Sequence, residues 1–264
     1  MWYKNHEKDG QGKVSPHLLE EVYNLEDALV VAGFRHSFVR YADVVKIANI
    51  AQIVNVLAPI QTCGDDMLIQ SIFYPFEMFS KRRNGAALRL TVDGPSYEGA
   101  TNGCVHYIDA SAILDGSRLH VFLTNRAMDE NAEVCVTIAD KTVVSCESAE
   151  ILTGPDAKAV NSLEDGEIVV AKPFDAIDMK DGQAHCKIPA LSFVAMTLNL
   201  GGTMLDKTPG IPASGLWTGR FSCHCSKPYT PYASIRVVRC QPPLGRNRTD
   251  SGSKTPVASK AGSK

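Results

Sequence analysis

Between Tyr107 and Leu200 apolar residues recur at every second position in several runs, and this alternation constrains the fold more than any other feature. Leu119, Val121 and Leu123 form one run; Val134, Val136 and Ile138 form another; Val194, Met196, Leu198 and Leu200 form a third. A strand turns successive side chains to opposite faces, so a period of two means strands buried on one side. Asp115-Gly116, Asp165-Gly166 and Asp181-Gly182 punctuate the runs and suit tight hairpin turns. Short strands joined in this way predict an antiparallel β-sandwich over residues 101–201. After Gly202 the pattern stops, and Ser, Pro, Thr, Gly, Arg and Lys dominate. Residues 202–264 are therefore expected to be a disordered basic tail.

The chain before the sandwich has a different period. Asn24 is a good helix N-cap, with Asp27 at the capping-box position. Leu25, Leu29, Val30, Val31, Phe34, Phe38 and Val39 then occupy most of a helix circumference, which predicts a helix buried on more than one side. Gly33 weakens it by about 1 kcal/mol relative to Ala. The β-branched run Asp43-Val44-Val45-Lys46-Ile47-Ala48 suits a buried strand. A second helix is expected from about Asp65-Asp66, carrying Ile69, Ile72, Phe73, Phe76 and Phe79, with a kink at Pro75. Helix, strand and helix in this order are a piece of an α/β fold, so residues 1–100 and the sandwich together make an α+β chain.

Charge and composition narrow the function. Apolar residues make up 44% of the chain, enough for a sizeable core. From Thr203 onward ten Lys and Arg face Asp206 and Asp250, which leaves 17 basic and 27 acidic residues before it. An acidic body argues against nucleic acid as its partner. No apolar run reaches the ~20 residues that cross a bilayer, and the polar start, Met1 to Val14, is not a signal peptide. Eight scattered cysteines then read as reduced thiols in a cytoplasmic protein. P-loop, GxGxxG, HExxH and GxSxG patterns are all absent.

Each remaining candidate has a plain structural explanation. Cys223-His224-Cys225 has only Cys240 nearby as a further zinc ligand, so no metal site is expected. Asp65-Asp66 fits a cap and dipole partner better than an acid and base pair. Glu77, Glu98 and Asp109 are lone carboxylates in solvated or turn roles, and His36 is a satisfied core residue. Asn247-Arg248-Thr249 is a glycosylation sequon without a secretory context. The run from Asn49 to Ile60 is more informative. It follows the predicted strand, and Asn49, Gln52 and Asn55 could either bind sugar hydroxyls or satisfy loop backbone.

Tyr23 to Leu29, Ala42 to Ile60, Gln70-Ser71-Ile72-Phe73-Tyr74-Pro75-Phe76, Val121 to Arg126 and Leu191-Ser192-Phe193 occur in order with plausible spacing. Together they resemble the α-L-arabinofuranosidases of glycoside hydrolase family 51, over about residues 2 to 200. The resemblance implies a partial (β/α)8 barrel remnant over residues 1–100, holding the last helices and the eighth strand. A jelly-roll sandwich over 101–201 follows. A complete barrel takes about 250 residues. The family removes terminal non-reducing α-L-arabinofuranosyl groups from arabinan, arabinoxylan and oligosaccharides with retention, using one glutamate as acid/base and another as nucleophile. Trp2-Tyr3 matches the end of the nucleophile segment, so both glutamates are expected to lie outside this chain, leaving it without catalytic residues and inactive alone. Two substrate-binding positions carry over: Trp2, an aromatic wall of the sugar pocket, and Gln52, an amide near the arabinose. The resemblance implies no cofactor or metal, arabinose-containing glycans as partners, and a homo-oligomeric habit. The alternative is a non-catalytic sandwich module that binds carbohydrate or serves assembly.

Overall fold

The computed structural model describes residues 21–99, 101, 103–202 and 232–241. Its helices are α1 (Leu25–Arg40) and α2 (Phe73–Ser80). The strands are β1 (Ile60–Cys63), β2 (Asp66–Ile69), β3 (Ala86–Ala87), β4 (Arg89–Asp93), β5 (Ser96–Gly99), β6 (Gly103–His106), β7 (Ile108–Asp115) and β8 (Arg118–Asn125). They continue with β9 (Asn131–Ile138), β10 (Thr142–Thr153), β11 (Val170–Pro173), β12 (Ile177–Lys180), β13 (Gln183–Ile188), β14 (Ser192–Gly201) and β15 (Tyr232–Gln241).

Two sheets face each other. One has the order β11-β10-β14-β8-β7-β3, the other β12-β13-β9-β15-β4. The alternating residues fill the space between them: Leu119, Val121, Leu123, Val134, Val136, Ile138, Val194, Met196 and Leu198 share one buried cluster. Two of the three turn signals join consecutive strands, while Asp165-Gly166 turns within the connection from β10 to β11. β12 and β13 are joined by Asp181-Gly182, both at positive φ (53° and 73°), and Gly116 turns β7 into β8 at φ 60°. Because β3 and β4 belong to the two sheets, the sandwich recruits residues from Ala86 onward, earlier than residue 101.

The first correction concerns β8 and β14, which are buried on both faces rather than one. Between their core-facing residues lie Phe122, Phe193 and Ala195, all fully buried in a second cluster with Leu25, Leu29, Met78 and Phe79. Alternation in hydropathy fades when both faces are covered. The second correction concerns the tail. Residues 232–241 form β15, antiparallel to β9 and parallel to β4, so the sheet contains one parallel pair. Ala233 and Ile235 are completely buried there, a two-residue alternation hidden in polar surroundings. The rest of the expected tail, including Cys223-His224-Cys225, lies outside the described residues.

The helices cover the outer face of the six-stranded sheet. The capping box at the start of α1 is reciprocal: Asp27 N donates to Asn24 Oδ1 and Asn24 N to Asp27 Oδ2, each at 3.0 Å. Leu25, Ala28, Leu29, Ala32 and His36 follow helical spacing and form its buried stripe. Val30 and Phe34 stand out from it, 37% and 45% exposed, so the helix is not buried all round. The rings of α2 enter the same layer, with Phe79 stacked on Phe122 at 4.0 Å and on Phe193 at 5.3 Å.

Two further expectations fail. Asp65-Asp66 does not open a helix; Gly64 at φ 59° turns β1 into β2, and α2 starts at Phe73. Pro75 therefore sits in the first helical turn, where its missing N–H leaves no intrahelical bond unmade, and no kink is needed. The predicted strand Asp43–Ala48 is a turn followed by irregular chain, with Val44 75% and Ile47 78% exposed. No strand among the described residues pairs with it, and an unpartnered strand leaves its backbone groups to solvent. No helix among the described residues is long and apolar enough to cross a membrane.

Candidate functional site

The segment from Lys46 to Pro59 runs over the surface between α1 and β1, and buried side chains fix its C-terminal end. Gln70 Nε2 donates to Ala58 O at 2.7 Å and Glu21 O at 3.2 Å, while its Oε1 accepts from Tyr23 N at 2.9 Å. The Tyr23 hydroxyl donates to Leu57 O at 3.0 Å. Burial, helped by Glu21 and Asp27, pushes that phenol up to about 12, so it remains a donor. Ser71 Oγ donates to Tyr23 O and Asn24 O. A loop held by side chain to backbone bonds needs no neighbouring strand to keep its course.

Within the loop the three amides separate in role. Asn55, at φ 61°, accepts from Thr62 N at 2.7 Å and donates to Thr62 Oγ1 at 3.0 Å, so it satisfies backbone. Asn49 and Gln52 are exposed. Gln52 is thus presented at the surface of an anchored loop. Trp2 lies outside the described residues, and so does any approach of its ring to Gln52.

The carboxylates nearest the core are engaged elsewhere. Asp109 does not sit free in a turn: it takes Arg40 Nη1 at 2.7 Å and has Arg126 Nη1 at 3.9 Å. Burial would raise its pKa, but the charges of His36, Arg40 and Arg126 outweigh it and hold the carboxyl below the usual range. Glu150 is bound by Lys81 at 2.9 Å and Arg82 at 2.8 Å, and these bonds overcome burial to hold it low too. Glu77 pairs with Lys81, and Glu98 is exposed on β5. His36 is the satisfied core residue expected of it. It is fully buried, with Nδ1 2.8 Å from Ser111 Oγ and Nε2 2.9 Å from Thr124 Oγ1. Burial drives its pKa down to about 4, with Asp109 opposing and Arg40 and Arg126 assisting.

Cys63, Cys104, Cys135, Cys146 and Cys186 are free thiols, as the sequence suggests. Among the described residues no three His, Cys, Asp or Glu side chains converge as metal ligands. The anchoring role of Gln70 was not anticipated. Only its place in a run of family-like residues marked it out.

The arrangement has counterparts among known proteins. The family model described as the α-L-arabinofuranosidase C-terminal domain matches residues 1–192. An intracellular exo-α-(1→5)-L-arabinofuranosidase of Streptomyces lividans is 32% identical over 200 residues, which cover 75% of this chain and 29% of that protein. An exo-α-(1→6)-L-arabinofuranosidase of Bifidobacterium longum is 33% identical over 208 residues, covering 74% and 40%. In three dimensions the chain resembles a family 51 α-L-arabinofuranosidase from Bifidobacterium longum, with a TM-score of 0.61 and 27% identity over 70% of this chain and 37% of that one. A family 51 arabinofuranosidase from Xanthomonas axonopodis pv. citri gives 0.63 and 26% over 72% and 38%. The chain thus spans 29% to 40% of the length of these relatives. With the match running through both the helical layer and the sandwich, the chain belongs to the α-L-arabinofuranosidase C-terminal domain family.

Proposed function

We propose that the chain is the C-terminal portion of an α-L-arabinofuranosidase that removes terminal non-reducing arabinofuranosyl groups from arabinan, arabinoxylan and their oligosaccharides with retention of configuration. The carrying observation is the continuous family match from residue 1 to residue 192. In this reading α1, α2 and the loop between them are the end of a (β/α)8 barrel, and the two sheets form a jelly roll. Exposed apolar side chains before β1 accord with it: Val22, Val30, Phe34, Val44, Ile47 and Ile53 are 37% to 78% exposed. Gln52 and Trp2 contact the arabinose, the first through its amide and the second through its ring. The setting is cytoplasmic, in keeping with relatives named intracellular.

These 264 residues on their own do not hydrolyse furanosides. A retaining glycosidase needs one carboxyl whose pKa is raised to protonate the leaving group and a second to attack the sugar. Asp109 and Glu150 are held in the opposite direction by two cations each. The test is release of nitrophenol from an aryl α-L-arabinofuranoside by purified chain. No release above background is expected, and turnover that copurifies with the chain through successive columns would sink the reading. A carbohydrate-binding module would be favoured by coplanar exposed rings; the Tyr97 and Tyr107 rings lie 5.0 Å apart but inclined at 48°.

A further inference from the structure

One cleft of about 550 Å³ lies between the C-terminal half of α1, the chain that follows it, α2 and the β3 edge. Its charged lining residues are Arg35, Lys46 and Arg83, and no Asp or Glu lines it. The neighbours of these cations are paired: Arg40 with Asp109, Lys81 with Glu77 and Glu150, and Arg82 with Glu150. Among the described residues, Arg35, Lys46 and Arg83 instead donate only to Ala48 O, Ala42 O and Ser80. Three cations without a carboxylate among the described residues stand out in a body whose charge is acidic overall.

Arg35 is the informative member. Its guanidinium lies 4.6 Å from the Phe76 ring centroid and 5.6 Å from that of Phe79, and the side chain is half-buried. Stacking holds the planar fork in place and leaves its edge for an oxygen pair. Burial alone lowers its pKa, because no anion is there to offset the lost water. Lys46 and Arg83 are exposed and by themselves would count only as solvated charges. Phe38 and Phe76 give the same cleft apolar walls, and Asn84 adds an amide with donors and an acceptor. The volume is that of a small-molecule site and exceeds what a bare ion needs.

We infer that this cleft binds an anionic sugar, a ring carrying hydroxyls and one carboxylate or phosphate group. The anionic group sits on Arg35 with Lys46 and Arg83, the ring lies along the phenylalanines, and Asn84 takes a hydroxyl. The inference uses neither Trp2 nor Gln52, so its test reads out apart from hydrolysis. Isothermal titration of the full chain with a sugar phosphate, a uronic acid, neutral arabinose and inorganic phosphate tests it. Expected are binding by at least one anionic sugar, about tenfold weaker binding by inorganic phosphate, and none by arabinose. Raising salt from roughly 50 to roughly 500 mM should weaken the anionic sugar severalfold. The double variant Lys46→Gln, Arg83→Gln, both exposed positions, should weaken it about tenfold with an unchanged thermal midpoint. Lack of heat with both anionic sugars overturns the inference, as does binding untouched by the double variant. Phosphate binding as tightly as the sugars would reduce the cleft to a counter-ion cluster and equally overturn it.

Discussion

His36 joins the helical layer to the sandwich, and replacing it should produce a pH-dependent stability gap of calculable sign. In His36→Leu the imidazole is lost, and Ser111 Oγ and Thr124 Oγ1, both in buried residues, lose a partner at 2.8 and 2.9 Å. Two hydrogen bonds at about 1 kcal/mol each, and the cost of leaving hydroxyls unpaired, make the variant about 3 kcal/mol less stable near pH 7.5. The groups facing the ring are Asp109 on β7, Arg40 on α1 and Arg126 after β8.

In the native protein the imidazole has a pKa of about 4, against an ordinary 6.5. Above 6.5 it is neutral both folded and unfolded, and contributes nothing to pH dependence. As pH falls from 6.5 towards 4, only the unfolded chain takes the proton, so native stability drops. At pH 4.5 that loss is about 2.5 kcal/mol, and the leucine variant does not suffer it. Asp109 faces the same ring and titrates below it. Its pKa is depressed from 3.8, so its contribution is present above that value and is lost only in stronger acid. Urea unfolding of both proteins at pH 7.5 and 4.5 should show the gap closing from about 3 to about 0.5 kcal/mol. A gap that stays the same at both pH values would refute the claim that the buried imidazole is kept neutral.

Other perturbations have equally definite outcomes. Glu150→Gln leaves Arg82, whose side chain is 5% exposed, without its counter-charge and should cost about 3 kcal/mol in urea unfolding at pH 7.5. The depressed pKa of Glu150 means its contribution is present above pH 4.5 and lost as pH falls through the folded value, so variant and native converge in acid. Gly85→Ala places a Cβ 2.3 Å from Leu114 O at φ +114°, and thermal unfolding should report a loss of at least about 2 kcal/mol. Gln70→Leu removes three bonds to backbone and should cost about 3 kcal/mol, with limited proteolysis moving into residues 46–59. Phe34→Gln and Ile47→Gln, at exposed positions, should reduce binding of an apolar dye while changing stability by less than about 0.5 kcal/mol.

What could be read from the residues alone was whatever is decided locally. A capping box needs only Asn24 and Asp27, and a two-residue hairpin only Asp181 and Gly182, so both were legible. The β1–β2 hairpin was not, because two strands of four residues are too short to show alternation, and Ile69, Ile72, Phe73 and Phe76 imitate a helical period across their junction with α2. β15 was hidden because what fills the gap between β9 and β4 is decided by partners far away in sequence. At the candidate site, the exposed amide of Gln52 was legible as a loop residue. The anchor formed by Gln70, Tyr23 and Ser71 was not, since hydrogen bonds across 47 and 48 residues leave no periodic trace.

The misread strand Asp43–Ala48 carries a different lesson, because the residues were judged correctly and the partner was not. Val44, Val45 and Ile47 have the branched side chains of a buried strand, yet Val44 and Ile47 are among the most exposed apolar residues described. A strand is a pairing, and branched side chains confer it only where another backbone supplies the ladder. The sandwich offers no such edge here: β3, the end strand beside β7, is two residues long and pairs through Ala86 and Ala87 alone. The segment is held instead by short-range bonds, Val44 N and Val45 N to Tyr41 O and Lys46 Nζ to Ala42 O, and by Arg35 to Ala48 O.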